Sequence, residues 1–152
     1  AKIVDGRVML QMQLVKVDRK EEVFLIDTGS PHYITFVDDV DSVNVKEEGS
    51  FIRNSPEFKK EGINVNFVEL SPVTRVRTFE RGVENETLSC GTGAVAVAVA
   101  VDQLKNIVER NLEIETLGGC LTVSFDKIGD ADYRDIWLAG SVDLVYIGEF
   151  TC

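Results

Sequence analysis

Histidine occurs once in this chain and cysteine three times, and each scarcity removes a class of protein. One His with Cys90, Cys120 and Cys152 scattered among unrelated neighbours gives no zinc-ligand spacing, so no metal site is expected. An odd number of cysteines without framework spacing does not make a disulfide scaffold, and it fits a reducing, cytoplasmic compartment. The formal net charge is −10 and no Lys/Arg cluster interrupts it, which argues against a nucleic-acid partner. No apolar run reaches the ~20 residues a membrane span needs, and the longest, around residues 93–101, is about half that. No membrane partner is expected, and no secretory leader pattern is present. What is present is 152 residues, 44% of them hydrophobic: enough for one domain with its own core.

The pattern along the chain is dominated by strands. Residues 7–17 alternate, with apolar residues at 8, 10, 12 and 14, and read as one strand. Residues 22–27, 33–37, 63–70 and 74–79 read as further strands, rich in β-branched and aromatic side chains. A short helix is expected at 45–53. Asp38, Asp39 and Asp41, with Glu47 and Glu48, lack calcium-loop spacing and read as a solvated face. Residues 112–117 and 121–126 form a hairpin through Gly118-Gly119, and 136–139 and 141–150 close the chain as strands. The segment 91–108 is apolar on every side in its first half and reads as an enclosed helix. This order excludes a βαβ architecture and gives an α+β class: about eight mostly antiparallel strands curved, barrel-like, around one central helix.

The chemistry concentrates at the start of that helix. Cys90 precedes Gly91-Thr92-Gly93-Ala94, a small-residue turn where unpaired N–H groups and the positive end of the helix dipole collect. A thiol there is biased toward thiolate. The N–H groups of Gly91, Thr92 and Gly93 are placed to hold a carboxylate. A sulfur base beside a carboxylate cradle can remove the α-proton of an amino acid and stabilise the carbanion without a cofactor. The turn alone leaves open a plainer alternative, a buried structural cysteine at a glycine-rich helix start.

The run Glu80-Arg81-Gly82, then Glu86-Thr87-Leu88-Ser89-Cys90-Gly91-Thr92-Gly93-Ala94, resembles the C-terminal half of the diaminopimelate epimerases. Pro31-His32, Asn64-Val65-Asn66-Phe67 and Gly118-Gly119 with Leu121 fall where that family has similar motifs. Cys-Gly-Thr-Gly alone is shared with proline racemases; the preceding residues make the likeness specific. The resemblance implies two similar domains, each a barrel-like sheet around a helix, with the active site between them and one catalytic cysteine from each. It implies interconversion of LL- and meso-diaminopimelate by cofactor-independent proton transfer. It further implies that Cys90 is the second of the two cysteines and that Gly91 and Thr92 clamp the α-carboxylate. Glu80 and Arg81 are then substrate contacts, with Glu80 near the reacting centre. Asn64 contacts the distal end of the substrate, and His32 supports the thiol.

Three departures stand out. Ser30 replaces the usual Asn before Pro-His in a position that contacts substrate. The stretch from Glu80 to Cys90 is one residue longer than the common pattern. The first cysteine, in its Cys-Gly-Asn-Gly setting, is missing, and Cys120 and Cys152 read as structural or incidental. The expected partners are therefore a small amino-acid substrate and the N-terminal half of the same enzyme, and the sequence leaves a homodimer open. Alone, this chain is expected to be inactive.

Two rival readings follow from the residues. Asp27-Thr28-Gly29 after an apolar run is the loop pattern of a homodimeric aspartic protease, which needs two such aspartates sharing a proton. The scaffold could also hold an amino acid without turning it over. Read without the family, His32 is a hydrogen-bonded loop residue, Glu80-Arg81 an exposed ion pair, and Asn64 and Asn66 polar residues on the wet face of a strand.

Overall fold

A computed structural model describes residues 1–13, 15–20, 22–105 and 111–151. The described strands are β1 (Lys2–Val4), β2 (Arg7–Gln11), β3 (Lys16–Lys20), β4 (Val23–Asp27), β5 (Pro31–Val37), β6 (Asn64–Glu69), β7 (Thr74–Glu80), β8 (Asn85–Thr87), β9 (Asn111–Thr116), β10 (Gly119–Lys127) and β11 (Tyr133–Ser141). They form one 11-stranded sheet in the order β1-β2-β11-β10-β9-β7-β6-β5-β4-β3, with β8 added beside β7. β5/β6 and β7/β9 are parallel; the other pairs are antiparallel. The path ends at β1 and β3, so the sheet curls without closing.

Helix α2 (Gly91–Lys105) fills the curl, in contact with β4, β5, β6, β7, β9, β10 and β11. Gly93 to Asp102 are all buried. Valine is a mediocre helix former, because its branched Cβ is stiff against the preceding turn. Enclosure outweighs that preference: burying each of Val95, Val97, Val99 and Val101 contributes about 1.5–3 kcal/mol. The intervening alanines let the sheet approach closely from all sides.

Helix α1 (Val45–Arg53) covers the outer face of the same sheet. Asn44 caps it, its side-chain oxygen accepting from the Glu47 N–H. Gly49 is required at the contact, since a Cβ there would lie 2.4 Å from Phe79 Cβ. β6 is consequently buried on both faces. Val65 and Phe67 pack in the cluster under α1, while Val68 packs with Ile34 and Val76 in the cluster around α2.

That alternation positions the site. On the α2 side, His32 precedes Ile34 on β5, Asn64 and Asn66 precede Val68 on β6, and Thr78 follows Val76 on β7. The register sets His32 opposite Asn64, Asn66 opposite Thr78 and Val68 opposite Val76. Three neighbouring strands thus turn polar together at the N-terminal end of α2 and apolar further along.

The α+β class, the enclosed helix and the 45–53 helix agree with the sequence reading. Three details differ. The single strand expected over 7–17 is two: β2 pairs with β11 and β3 with β4, near opposite ends of the sheet, so the chain must leave one ladder for the other. Leu14 lies outside the described residues. The strand expected over 141–150 is absent: β11 runs from Tyr133 to Ser141, both its edges are taken by β10 and β2, and residues 142–150 form no ladder. The count of about eight rises to eleven through this split and the short strands β1 and β8. The last turn of the 91–108 helix beyond Lys105 also lies outside the described residues.

Candidate active site

Cys90 is the residue before α2, and its carbonyl accepts the first helical hydrogen bond, from Ala94 N at 2.8 Å. Its Sγ lies 3.5 Å from Thr92 Oγ1. Gly93 is obligatory beside it: a Cβ would meet Asn66 Oδ1 at 2.8 Å and Cys90 Sγ at 3.3 Å. Gly91 is held as tightly, with a Cβ 2.9 Å from Leu138 Cδ2. The two glycines let the turn press against the polar strand ends, while Gly91 and Thr92 stay half-buried with their N–H groups at the helix start.

The expected lowering of the Cys90 thiol does not hold for this chain. Burial pushes it up from its ordinary value, more than the Thr92 hydroxyl and the N–H groups of Gly93 and Thr92 pull it down, and the Glu80 carboxylate adds to the rise. The helix terminus acts on the sulfur as expected, but desolvation is the larger effect.

His32 is fully buried. Its Nε2 lies 3.1 Å from Thr92 Oγ1 and its Nδ1 3.2 Å from Asn66 Nδ2. Burial pushes its pKa down to about 4; the Arg81 charge also lowers it, while Asp27 and the Asn66 bond oppose the shift. His32 is therefore a neutral imidazole at pH 7. It is not the loop residue its isolated sequence suggested, since Pro31 already begins β5.

Asn64 ties three predicted residues together. Its Nδ2 donates to Ser30 Oγ (2.9 Å) and Pro31 O (3.2 Å), and its Oδ1 accepts from Arg81 N (3.0 Å). Ser30 therefore makes a hydrogen bond of its own from the position of the family's Asn. Glu80 accepts from Thr87 Oγ1 at 3.0 Å across the β7/β8 pair. Between Glu80 and Cys90 the chain turns over residues 81–84, where Gly82 (φ 88°) and Glu84 (φ 57°) take left-handed backbone. Arg81 Nη1 donates to Glu61 O at 3.0 Å, so Glu80-Arg81 is no simple ion pair.

Two residues escaped the sequence reading. Asn66 and Thr78 are buried, not on a wet face, and Thr78 Oγ1 donates to Asn66 Oδ1 at 3.0 Å. The clue was the two-residue spacing of Asn64 and Asn66 in a strand whose other residues before Glu69 are apolar. Asp27, the rival reading's catalytic residue, is exposed and accepts from Gly29 N at 2.9 Å, while Thr28 donates to Thr92 O at 3.1 Å. That loop is a turn anchored to α2, so the protease reading is set aside. Cys120 lies opposite Glu115, its thiol pushed up by burial and then by Glu113. Cys152 lies outside the described residues. Among the described residues no group of three or more His, Cys, Asp or Glu could hold a metal, and no helix is long and apolar enough to cross a membrane.

The fold has solved counterparts among amino-acid racemases and epimerases. A hydroxyproline epimerase from Agrobacterium vitis superposes with a TM-score of 0.67 at 18% identity, over 93% of this chain and 52% of that one. A probable proline racemase from Agrobacterium radiobacter gives 0.62 at 15% identity, over 93% and 53%. At these identities the likeness is one of fold, an open curled sheet wrapped on a helix.

The sequence is more particular. Residues 24–144 match the diaminopimelate epimerase family. The diaminopimelate epimerase of Flavobacterium psychrophilum is 39% identical over 142 residues, covering 91% of this chain and 55% of the relative. That of Aquifex aeolicus is 43% identical over 142 residues, covering 89% and 48%. The chain belongs to the diaminopimelate epimerase family and spans about half the length of these curated relatives.

Proposed function

We propose that this chain is one half of an epimerase that inverts the α-carbon of diaminopimelate, interconverting the LL and meso forms. The observation that carries the reading is the position of Cys90. A half-buried thiol sits at the mouth of a helix whose first N–H groups, from Gly91 and Thr92, are unused by the helix itself. An α-carboxylate bound by those groups presents its α-carbon near the sulfur.

The reaction then needs two thiols on opposite faces of one carbon. A thiolate takes the α-proton, breaking the C–H bond and leaving a carbanion stabilised by donors around the carboxylate. The opposing thiol gives its proton to the other face, and stereochemistry inverts. Cys90, with its thiol held up by burial, suits the protonated member of the pair in the resting state. Glu80 and Arg81 contact substrate from the end of β7, Asn64 and Ser30 from the ends of β6 and the β4–β5 turn, and His32 supports the thiol through Thr92. No cofactor is required by these steps.

The second thiol belongs to a partner, the N-terminal half of the same enzyme. Two observations favour such a partner: the chain matches about half of its relatives, and residues 142–150 leave Val142, Leu144, Val145, Tyr146, Ile147 and Phe150 in solvent, with Val145 87% and Phe150 89% exposed. Contiguous apolar surface of this kind marks an interaction site.

The test is α-deuterium incorporation from heavy water by the two halves combined. Cys90→Ser should lower exchange at least a hundredfold while the isolated domain keeps its circular dichroism. Unchanged exchange would remove Cys90 from the mechanism. Saturable binding of diaminopimelate with no exchange by the wild-type pair would favour a binding domain without turnover.

A further inference from the structure

The hydrogen bonds around His32 have a direction that can be worked out from fixed acceptors. The Tyr33 carbonyl can only accept, and Asn66 Nδ2 lies 3.1 Å from it. The amino end of the Asn66 amide must therefore face that way, which agrees with its Oδ1 accepting from Thr78 Oγ1. The same Nδ2 lies 3.2 Å from His32 Nδ1, so Nδ1 accepts. In a neutral imidazole the proton then sits on Nε2.

Nε2 has two neighbours. Asn64 Nδ2, at 3.5 Å, is a donor already directed at Ser30 Oγ and Pro31 O. Thr92 Oγ1, at 3.1 Å, is able to accept. With that acceptance made, the hydrogen of the Thr92 hydroxyl is free to point at Cys90 Sγ, 3.5 Å away. The charged groups around the chain of bonds are Asp27 beside β5, Arg81 at the end of β7, and Glu80 toward the sulfur.

We propose that Asn66 is a positioning residue: with Tyr33 O and Thr78 it fixes the His32 tautomer, and so aims the Thr92 hydroxyl at the Cys90 sulfur as a donor. The series runs Asn66 to His32 to Thr92 to Cys90, each group donating to the next. It rests on the reading of Cys90 as an acid/base group for its purpose, but not for its chemistry. In this arrangement His32 is a fixed donor and not a proton acceptor for the thiol. Asp at position 66 can only accept when ionised, so it would call for a proton on Nδ1. Nε2 would then accept from Thr92, and the sulfur would lose its hydroxyl donor and keep only the N–H groups of Gly93 and Thr92.

His32 is the chain's only histidine, so two-bond 1H–15N correlation of the ring reports this site alone. The wild-type chain at pH 7 should show Nε2–H with a bare Nδ1. Asn66→Asp should show a protonated Nδ1 and alkylate Cys90 with iodoacetamide about tenfold more slowly at fixed pH, as for losing a hydrogen bond to a charged group. Thr92→Val should slow alkylation by the same factor, Thr92→Ser should keep the wild-type rate, and the Asn66→Asp/Thr92→Val pair should be no slower than either. Should Asn66→Asp fail to fold, the wild-type spectrum and the Thr92 pair still decide. Nδ1–H in the wild-type chain, or equal alkylation rates for Thr92→Val and wild type, would overturn the proposal. Neither readout needs turnover, so they fail separately from Cys90's part in proton transfer, which deuterium exchange tests.

Discussion

The two ends of helix α2 are both buried and both polar, yet they are built from opposite materials. At the N-terminal end the groups are neutral: His32, Asn66, Thr78 and Thr92 are linked to one another by hydrogen bonds, and Asn64 beside them bonds Ser30 Oγ, Pro31 O and Arg81 N. At the C-terminal end the bond is ionic. Asp102, 1% exposed, accepts from Tyr133 Oη at 2.6 Å and pairs with Lys127 Nζ at 3.0 Å, while Gln103 Nε2 donates to Tyr133 Oη at 2.7 Å. The charged end ties the helix to β10 and β11. The neutral end leaves room for charge to arrive with a ligand: a carboxylate at the helix start and a proton on or off the sulfur. A resident charge there would already have claimed the helix N–H groups. The contrast indicates that stability is vested at one end and chemistry at the other.

Breaking the ionic end should give the largest loss. Asp102→Ala removes the buried carboxylate that accepts from Tyr133 Oη and pairs with Lys127 Nζ, and should cost about 3 kcal/mol, the low end for a broken buried pair because the Lys127 side chain is partly exposed. Urea unfolding measures it. Cys90 alkylation by iodoacetamide should stay unchanged in the folded variant, and a changed rate would mean that the two ends are coupled.

The neutral end should show its cost through acid. His32 has its folded pKa lowered to about 4 from the ordinary 6.5, so the unfolded chain binds its proton first. Its contribution is intact above pH 6.5 and is lost as pH falls toward 4, on the order of 3 kcal/mol over that window. Unfolding of the wild type and of His32→Gln, followed from pH 7 to 4, isolates the effect. The variant should lose less stability, and parallel losses would contradict a buried neutral His32.

A smaller effect sharpens the comparison at atomic scale. Gly93→Ala puts a methyl 2.8 Å from Asn66 Oδ1, so the strand end or the helix start must shift. Overpacking of this size costs about 1–3 kcal/mol. Unlike Asp102→Ala, it should change the Cys90 alkylation rate, because the same methyl lies 3.3 Å from Sγ. Wild-type stability and reactivity together would show the contact to be slack.

The polarity of the two ends was unequally legible. Cys90-Gly91-Thr92-Gly93 announced itself, because a helix start made of small residues is a local feature. The all-round apolar run from Ala94 to Val101 likewise required enclosure. Asn66 and Thr78 were not legible: whether a polar strand residue faces water or a helix depends on what covers the sheet, and α1 and α2 cover both faces of β6. The direction of the Cys90 shift was also misjudged, since the dipole is visible in sequence and burial is not. The misread strand over 7–17 has the same origin, because alternation does not say when a chain changes ladders.

The central claim is that this chain supplies one of two required thiols. It is tested most directly by following α-deuterium incorporation and stereochemical inversion of LL-diaminopimelate in heavy water. The purified 152-residue chain is assayed alone, then with a polypeptide of the N-terminal half of the same enzyme. The account predicts no measurable inversion by the chain alone and turnover on adding the second half, lost again with Cys90→Ser. Sustained inversion by the single chain, with no second polypeptide detectable by mass spectrometry, would contradict it.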